Sequence, residues 1–286
     1  MQGMAETSTL PGPEKLLITV APTGAETTKA DCPQLPTTLS ELVETAQRCE
    51  AAGAAMIHVH IRDDDHAPTL DLGRLKETVS ALKESTGLVV QLSTGGSVHD
   101  PLDDRLRVLD AMPDSCSLTM GTTNFGDDVF LNPWPFVCDL YQLSQERGVV
   151  PEFELFDLGQ VHALARLLDK YGLPAGGRVH CDLVMGVPGG MDGRTDAVVA
   201  AVAALPAQVT SWSATGIGRS TLSVMLASLS LGGHLRVGME DVLTLARGVP
   251  VDHNVQLVDR AVSAGAVAQR VPMSTAEARR LLGVTA

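Results

Sequence analysis

Residues 39–61 have the sequence LSELVETAQRCEAAGAAMIHVHI, in which a helical pattern is followed at once by a strand pattern. Apolar residues recur three and four positions apart in the first part, which predicts a helix over Leu39–Ala52 with Ser40 as a candidate N-cap. Met56–Ile61 is short and apolar, as is typical of a buried strand. We therefore expect a fold built from strand and helix units of this kind.

The same alternation continues along the rest of the chain. The other seven predicted strands are Leu16–Val20, Val89–Ser93, Ser117–Met120, Pro151–Leu155, Arg178–Val184, Val209–Ala214 and His234–Val237. Amphipathic helical patterns separate them, and Ser274 with Glu277 three residues later marks the start of a last helix. Eight such units in 286 residues favour an α/β fold, a single-domain (β/α)8 TIM barrel over residues 15–286 that follows a flexible leader over residues 1–14.

The composition excludes several classes of protein. Hydrophobic residues make up 44% of the chain and aromatic residues only 3%, so the core must be aliphatic, as in parallel sheets. A net charge of −13 argues against nucleic-acid binding, which needs a basic surface. The sequence has no signal-peptide pattern, no apolar run long enough for a membrane span and no CxxC pair among its five cysteines. We expect a soluble cytoplasmic protein that acts on small molecules.

A candidate metal site begins with His58 and His60, at the end of the second predicted strand. Residues two apart in a strand share a face, so both imidazoles point the same way and can bind one ion. The alternative is that they are two unrelated polar residues at a strand end.

Glu240 is the candidate third ligand, shortly after the eighth predicted strand. In a closed barrel, strands eight and two both flank strand one, so their carboxyl ends meet at one mouth. Two histidines and one glutamate leave coordination positions open, as in catalytic sites, and zinc is the default ion. The alternative role for Glu240 is an interaction with a helix dipole. His180 and Asp182, on one face of strand six, form a rival metal pair that we rank lower.

Further polar residues follow other predicted strands at the same mouth, where barrel enzymes place their active sites. Glu154 and Glu152 share a face of strand five and need a partner in the barrel interior, for which Arg236 has the right parity. The candidate substrate-binding residues are Glu26, Ser93, Gly96, Thr119 and Asn124. Each of them alone would more often support the fold through hydrogen bonds, but together at one rim they favour a binding site.

Two glycine-containing loops are candidate phosphate sites. Gly216, Gly218, Arg219 and Ser220 lie between the seventh strand and a helix N-terminus, the usual phosphate position in this fold. The second loop is residues 186–190. The alternative is that both are tight turns that use glycine for its geometry, but Arg219 supplies a charge that favours phosphate in the first loop.

Seven segments together resemble one known family, the β-keto acid cleavage enzymes, which include the 3-keto-5-aminohexanoate cleavage enzymes. The resemblance covers nearly the whole predicted barrel, in order. The segments are residues 21–26 (APTGAE), 51–63 (AAGAAMIHVHIRD), 93–96 (STGG), 121–126 (GTTNFG), 151–154 (PEFE), 186–190 (GVPGG) and 236–241 (RVGMED).

The resemblance implies a metal-dependent homotetrameric acyltransferase. Such enzymes condense a β-keto acid with acetyl-CoA and release acetoacetate and a new acyl-CoA. By the same resemblance His58, His60 and Glu240 are the metal ligands, and Asp241 is the catalytic carboxylate, paired with Arg236 and assisted by Glu154. Ser93, Gly96 and Thr119 would hold the carboxylate and keto end of the substrate. The loop 216–220 would suit the phosphates of CoA.

Glu26 corresponds to a position near the variable end of the substrate, and two interpretations stay open. A glutamate facing an ammonium group favours a cationic keto acid, whereas a hydrogen bond to Ser93 allows a neutral one.

Three other functions compete with this interpretation. A metal-assisted carbon–carbon lyase or aldolase on the same barrel would use no CoA. A hydrolase of the amidohydrolase kind usually carries its HxH on the first strand and adds a metal-bridging lysine, but here HxH is on the second strand and no lysine follows Lys170. A catalytically inactive paralogue is disfavoured because Asp241, Arg236 and all three candidate ligands are intact.

Overall fold

A computed structural model describes residues 14–285. Eight parallel strands close into a barrel with helices outside it, so the expected (β/α)8 fold is confirmed. The barrel strands are β1 (Ile18–Val20), β2 (Met56–Val59), β3 (Val89–Leu92), β4 (Ser115–Thr119), β5 (Val150–Leu155), β6 (His180–Met185), β7 (Ser211–Gly216) and β8 (His234–Val237). The helices are α1 (Leu39–Ala52), α2 (Leu72–Ser85), α3 (Leu102–Arg107), α4 (Trp134–Arg147), α5 (Leu158–Tyr171), α6 (Thr195–Ala204), α7 (Thr221–Ser230), α8 (Asn254–Val267) and α9 (Thr275–Leu282).

The strands are arranged in chain order around the barrel, and β8 pairs with both β7 and β1. This closure brings the carboxyl ends of β8, β1 and β2 side by side, as the metal hypothesis requires.

Helix α1 has its expected bounds but not its expected N-cap. Thr38, not Ser40, caps the helix, because its hydroxyl accepts the amide of Glu41 while the Glu41 carboxylate accepts the amide of Thr38. This reciprocal pair needs an acidic residue three positions after the cap, a spacing that Ser40 lacks. The same motif at Ser274 and Glu277 is as expected.

Three barrel strands begin later than the sequence predicts: β1 starts at Ile18 rather than Leu16, and β6 and β7 also start later. The β6–β7 ladder starts at His180 and Ser211 rather than at Arg178 and Val209. The amide of Val179 donates a hydrogen bond to the Thr210 hydroxyl. A side-chain hydrogen bond therefore stands where a further backbone bond of the ladder would be.

Three short strand pairs lie outside the barrel and were not predicted. One follows β4 as a hairpin, Thr123–Phe125 with Asp128–Phe130, and another joins Thr244–Ala246 to Val249–Pro250. The third pairs Glu14–Leu16 with Arg270–Pro272, so Glu14, the last residue of the predicted leader, belongs to a strand. Residues 1–13 of that leader lie outside the described residues.

Apolar and polar residues alternate along the barrel strands. The apolar ones, such as Ile57, Val59 and Leu235, pack outward in the layer between strands and helices. Each such side chain contributes roughly 1.5–3 kcal/mol when fully buried. The buried polar side chains of the strands include Thr19, His58, Gln91, Ser117, Glu152, Glu154, His180, Asp182, Thr215 and Arg236. Within residues 14–285, none of the helices has both the length and the apolar character to cross a membrane.

Candidate metal centre and active site

His58, His60 and Glu240 meet at the mouth of the barrel. The Nε2 atoms of His58 and His60 each lie 3.7 Å from Oε1 of Glu240, and the two rings are 5.2 Å apart. One possible ligand atom from each residue lies within 4.8 Å of the others. Strand β2 ends at Val59, so His60 lies just beyond the strand but on the same side as His58.

Gln91 on β3 fixes the orientation of the His58 ring. Its Oε1 lies 2.5 Å from His58 Nδ1, and its amide nitrogen donates to the Ser115 hydroxyl at 3.1 Å. With Nδ1 donating to the amide oxygen, Nε2 is the unprotonated nitrogen and faces Glu240. This is the usual arrangement around a metal-binding histidine.

The protonation states of these residues suit a divalent cation. Burial lowers the pKa of His60 to about 3, against the opposing charge of Glu240, so its imidazole is neutral at pH 7. Burial disfavours ionisation of Glu240, but the neighbouring Arg236 guanidinium lowers its pKa to about 2. Oε2 of Glu240 is buried without a hydrogen-bond partner. The neutral His60 imidazole, the Nε2 atom of His58 that faces Glu240 and an ionised carboxylate with an unsatisfied oxygen therefore fit a metal ion.

Two glycines allow β8 and the loop after β1 to approach closely. A Cβ on Gly24 would lie 2.6 Å from Cγ of Glu240, and a Cβ on Gly238 would lie 1.8 Å from the carbonyl oxygen of Ala21. Gly24 also has φ +66°, which favours glycine. The Glu240 side chain therefore lies directly against the backbone of the β1 loop.

Arg236 gathers three carboxylates beside the candidate metal centre. Its guanidinium donates to Asp241 at 3.0 and 3.3 Å, to Glu154 at 3.1 Å and to Glu240. The second oxygen of Glu154 accepts from the Thr119 hydroxyl at 2.9 Å. The expected partnership between Arg236 and Glu154 is thus present in the described structure.

The charges in this network shape the pKa of each member. Burial raises the pKa of Asp241 to about 6, although Arg236 opposes this effect. Burial also acts against the charge of Arg236, but Asp241, Glu240 and Glu154 keep its pKa well above the usual range. Arg236 is therefore a permanent cation, and Asp241 is a carboxylate that can exchange a proton near neutral pH.

A cavity of about 240 Å³ opens onto the candidate metal centre. Glu26, Ser93 and Gly96 line it, together with Glu154, Arg236 and Asp241. Thr119 is not among the lining residues and reaches the site through Glu154. Asn124 lies exposed on the hairpin after β4 and does not line the cavity either, whereas its neighbour Phe125 does.

The candidate phosphate loop borders the same cavity through Ile217. Its Gly218 amide donates to the backbone oxygen of Asp241 at 2.7 Å, and the Ser220 amide donates to Ile217. Those amides are therefore already used. Gly216 is buried, and the side chain of Arg219 is the group of this loop that can meet an anion.

The rival pair on β6 lies in a separate network of the barrel interior. His180 lies 3.3 Å from Glu152 and contacts the Ser211 and Ser213 hydroxyls, while Asp182 accepts from Thr215. Among residues 14–285, the three-ligand group at the mouth is the only cluster with metal-binding spacing.

Two buried arginines that the sequence did not single out support the loops of the mouth. Arg62 donates to the carbonyls of Gly24 and Thr27. Arg105 donates to Thr94 and Leu131 carbonyls and to Asn132, and its guanidinium lies between two phenylalanine rings. An arginine two residues after HxH was a usable sequence signal for Arg62, whereas Arg105 lies in an ordinary amphipathic helix.

Comparisons with known proteins agree with one another. The profile of a family described as beta-keto acid cleavage enzyme matches residues 15–284. The 3-keto-5-aminohexanoate cleavage enzyme of Acetoanaerobium sticklandii is 35% identical over 274 residues, which cover 95% of this chain and 99% of that enzyme. The 3-oxoadipate:acetyl-CoA acetyltransferase of Cupriavidus necator is 32% identical over 271 residues, which cover 94% of this chain and 94% of that enzyme.

The apo structure of ObcA has a similar fold, with a TM-score of 0.73 at 21% identity. The match covers 88% of this chain and 66% of ObcA, so this chain spans about two thirds of that protein. At 21% identity, this similarity shows only that the two proteins share the barrel fold.

Proposed function

Because the chain belongs to the β-keto acid cleavage enzyme family, we propose that it condenses a β-keto acid with acetyl-CoA in a metal-dependent reaction. The products would be acetoacetate and the acyl-CoA of the remaining part of the substrate. Relatives named as acetyl-CoA transferases support the acyl transfer. The observation that carries the proposal is the meeting of His58, His60 and Glu240 beside Asp241 in one cavity.

The residues of the site divide the work of such a reaction. Asp241 is the general base that takes a proton from the carbon between keto and carboxylate groups, and Arg236 orients it through two hydrogen bonds. Glu154 on β5 holds Arg236 in place from across the barrel, and Thr119 on β4 in turn holds Glu154. The substrate carboxylate and keto end lies among Ser93, the Gly96 loop and Arg236. A divalent ion bound at this centre supplies Lewis-acid polarisation of a coordinated carbonyl.

The bond changes balance without a further reactant. The deprotonated carbon attacks the thioester carbon of acetyl-CoA and releases the CoA thiolate. The thiolate then attacks the original keto carbon, and the bond between that carbon and its neighbour breaks. The carbon that leaves takes up a proton and becomes part of acetoacetate, while CoA departs on the other acyl group.

We further propose that the ion is zinc and that the protein assembles as a homotetramer. The nitrogen and oxygen ligand set supports zinc without selecting it over cobalt, nickel or manganese. Elemental analysis of the purified protein tests the first point, and light scattering after size exclusion tests the second.

Incubation of the protein with β-keto acids and acetyl-CoA tests the function. We expect acetoacetate and a new acyl-CoA in equal amounts, and none without acetyl-CoA. Cleavage that proceeds without CoA would indicate the lyase alternative instead.

His58→Ala and Asp241→Asn test the assignment of the site. We expect His58→Ala to lose both metal and activity, and Asp241→Asn to keep the metal but lose roughly 100-fold or more in rate. His162→Ala, on the exposed face of α5, is the matched control and should behave as the wild type. Unchanged metal content and activity in His58→Ala would contradict the assignment.

A further inference from the structure

The residues that line the mouth of the barrel are divided by position. Those contributed by β8, β1, β2 and β3 with their following loops are mostly polar or charged, and they include the metal centre and Asp241. The residues contributed from β4 to β7 with their following segments are apolar, apart from Glu154. This apolar half of the mouth consists of Phe125, Phe130, Phe156, Val184, Val187 and Ile217.

The apolar half is a continuous, packed surface. Phe156, Val184 and Val187 are buried together, and Phe125 and Ile217 pack against them. The ring of Phe125 lies 6.1 Å from that of Phe130 and 6.2 Å from that of Phe156, both in edge-on geometry. Three of the five phenylalanines in the chain thus lie in this cavity wall. A residue type that is scarce elsewhere is concentrated where a ligand would lie.

Glu26 is the charged residue of the mouth that would favour a cationic side chain on the substrate. The segment that carries Glu26 already lies against a buried arginine, because Arg62 donates to the carbonyls of Gly24 and Thr27 on either side of Glu26. A cationic side chain placed near Glu26 would therefore also meet the positive charge of Arg62.

We propose that the apolar half of the mouth binds the side chain of the β-keto acid, and that the preferred substrates carry an uncharged, apolar side chain. This inference rests on the proposed function, which places the carboxylate and keto groups at the polar half. The rest of the substrate must then extend towards the facing wall. A charged side chain would lose its hydration there without gaining a partner, whereas each buried methylene strengthens binding roughly fourfold.

A series of acids with one carbon skeleton length tests the proposal. The acids are 3-oxohexanoate, 3-keto-5-aminohexanoate and 3-oxoadipate, which differ in whether the side chain is neutral, cationic or anionic. Equilibrium binding to the zinc-loaded protein is measured by calorimetry, without acetyl-CoA. We expect 3-oxohexanoate to bind at least roughly tenfold more tightly than either charged acid. Equal or tighter binding of a charged acid would overturn the proposal.

The variant Val187→Asp tests whether the apolar half of the mouth binds the side chain of the β-keto acid or the CoA arm of acetyl-CoA. We expect the KM of the neutral acid to rise at least roughly tenfold, while the KM of acetyl-CoA stays unchanged. The difference in KM between the cationic and the neutral acid should become smaller. Val129→Asp is the matched control, because Val129 lies on the hairpin but is 47% exposed and does not line the cavity. If Val187→Asp instead raises the KM of acetyl-CoA, the wall binds the CoA arm and the proposal is wrong.

Two further measurements distinguish a failure of this inference from misfolding of the variant and from a failure of the proposed function. Val187→Thr, which preserves the shape of the side chain, replaces Val187→Asp if the charged variant does not fold. Turnover with acetyl-CoA is measured on the same samples. Turnover of a charged acid in preference to the neutral one leaves the proposed function intact and removes only the inference about its substrate.

Discussion

Gly24 shows how much of the site depends on one residue without a side chain. Its φ of +66° and the 2.6 Å that would separate an added Cβ from Glu240 are independent constraints, and both are met by glycine alone. The sequence shows a glycine in a plausible turn but not which side chain lies against it, since that contact joins residues more than 200 positions apart.

Gly24→Ala is expected to weaken metal binding at least roughly tenfold, because Glu240 must move away from the two histidines. Gly148→Ala is the control: Gly148 has nearly the same φ, +68°, and nothing lies near its missing Cβ. Both variants should lose about 1 kcal/mol of unfolding free energy through backbone strain. Metal affinity is measured by competition with a chelator. Equal affinity in both variants would show that Glu240 does not depend on Gly24.

Gln91 is a second single residue that affects the metal centre, through the ring of His58. We expect Gln91→Leu to lower metal affinity by about 10–100-fold while the protein stays folded. Gln142→Leu, exposed on α4, is the matched control. Retention of full affinity in Gln91→Leu, measured by the same competition, would rule out the orienting role. The polar Gln91 among apolar neighbours was visible in the sequence, but its pairing with His58 follows only from the register of β2 and β3.

At the scale of elements, α3 supports the mouth through Arg105. This side chain joins the loop after β3 to the segment that follows the β4 hairpin, since it donates to Thr94 at 2.6 Å and to Leu131 at 2.7 Å. Its stacking on Phe130, which lines the cavity, connects the helix with the apolar half of the mouth.

Arg105→Met is expected to destabilise the protein by about 3 kcal/mol, because buried acceptors lose their donor. We also expect a higher KM for the β-keto acid with a smaller change in kcat, since the Ser93 loop loses its support. Arg107→Met, on the same helix with a side chain 62% exposed, should change neither quantity. Urea unfolding and steady-state kinetics provide the two measurements. A drop in kcat alone would contradict a supporting role.

The elements differ in how well their sequences predict them. The bounds of α1 follow from its periodicity, but its cap is decided by the reciprocal pair of Thr38 with Glu41, a spacing that Ser40 lacks. The hairpin after β4 was missed because its two short strands lie in a segment without alternation. Consequently the apolar half of the mouth, to which this hairpin contributes Phe125 and Phe130, could not be anticipated.

For the molecule as a whole, barrel closure between β8 and β1 decides whether the candidate ligands meet, and it requires β8 to pack closely against β7 on its other side. Gly233, just before β8, leaves room for the Trp212 ring of β7, because a Cβ there would lie 2.3 Å from two ring atoms. The position of Glu240 near the two histidines was predictable from closure alone, since strand order follows from eight alternating units. The packing that allows this closure was not, because it depends on contacts such as this one.

Gly233→Ala is therefore expected to cost about 3 kcal/mol of unfolding free energy through overpacking at this junction. Gly232→Ala is the neighbouring control: it has φ +82° but open space around its missing Cβ, and should cost about 1 kcal/mol through backbone strain. Thermal unfolding of both variants provides the comparison. A smaller loss in Gly233→Ala than in Gly232→Ala would show that the Trp212 contact is not limiting.

The division of the mouth into two halves has a consequence for how this catalyst can change over evolutionary time. The proposed bond-making groups, Asp241 and the candidate metal ligands, occupy one arc of the rim, and the wall facing them is formed by different strands and a separate hairpin. Mutations on that wall can change which acids are accepted while the reactive apparatus stays untouched. A laboratory library confined to the six wall positions should therefore yield many active variants with new preferences, and few inactive ones.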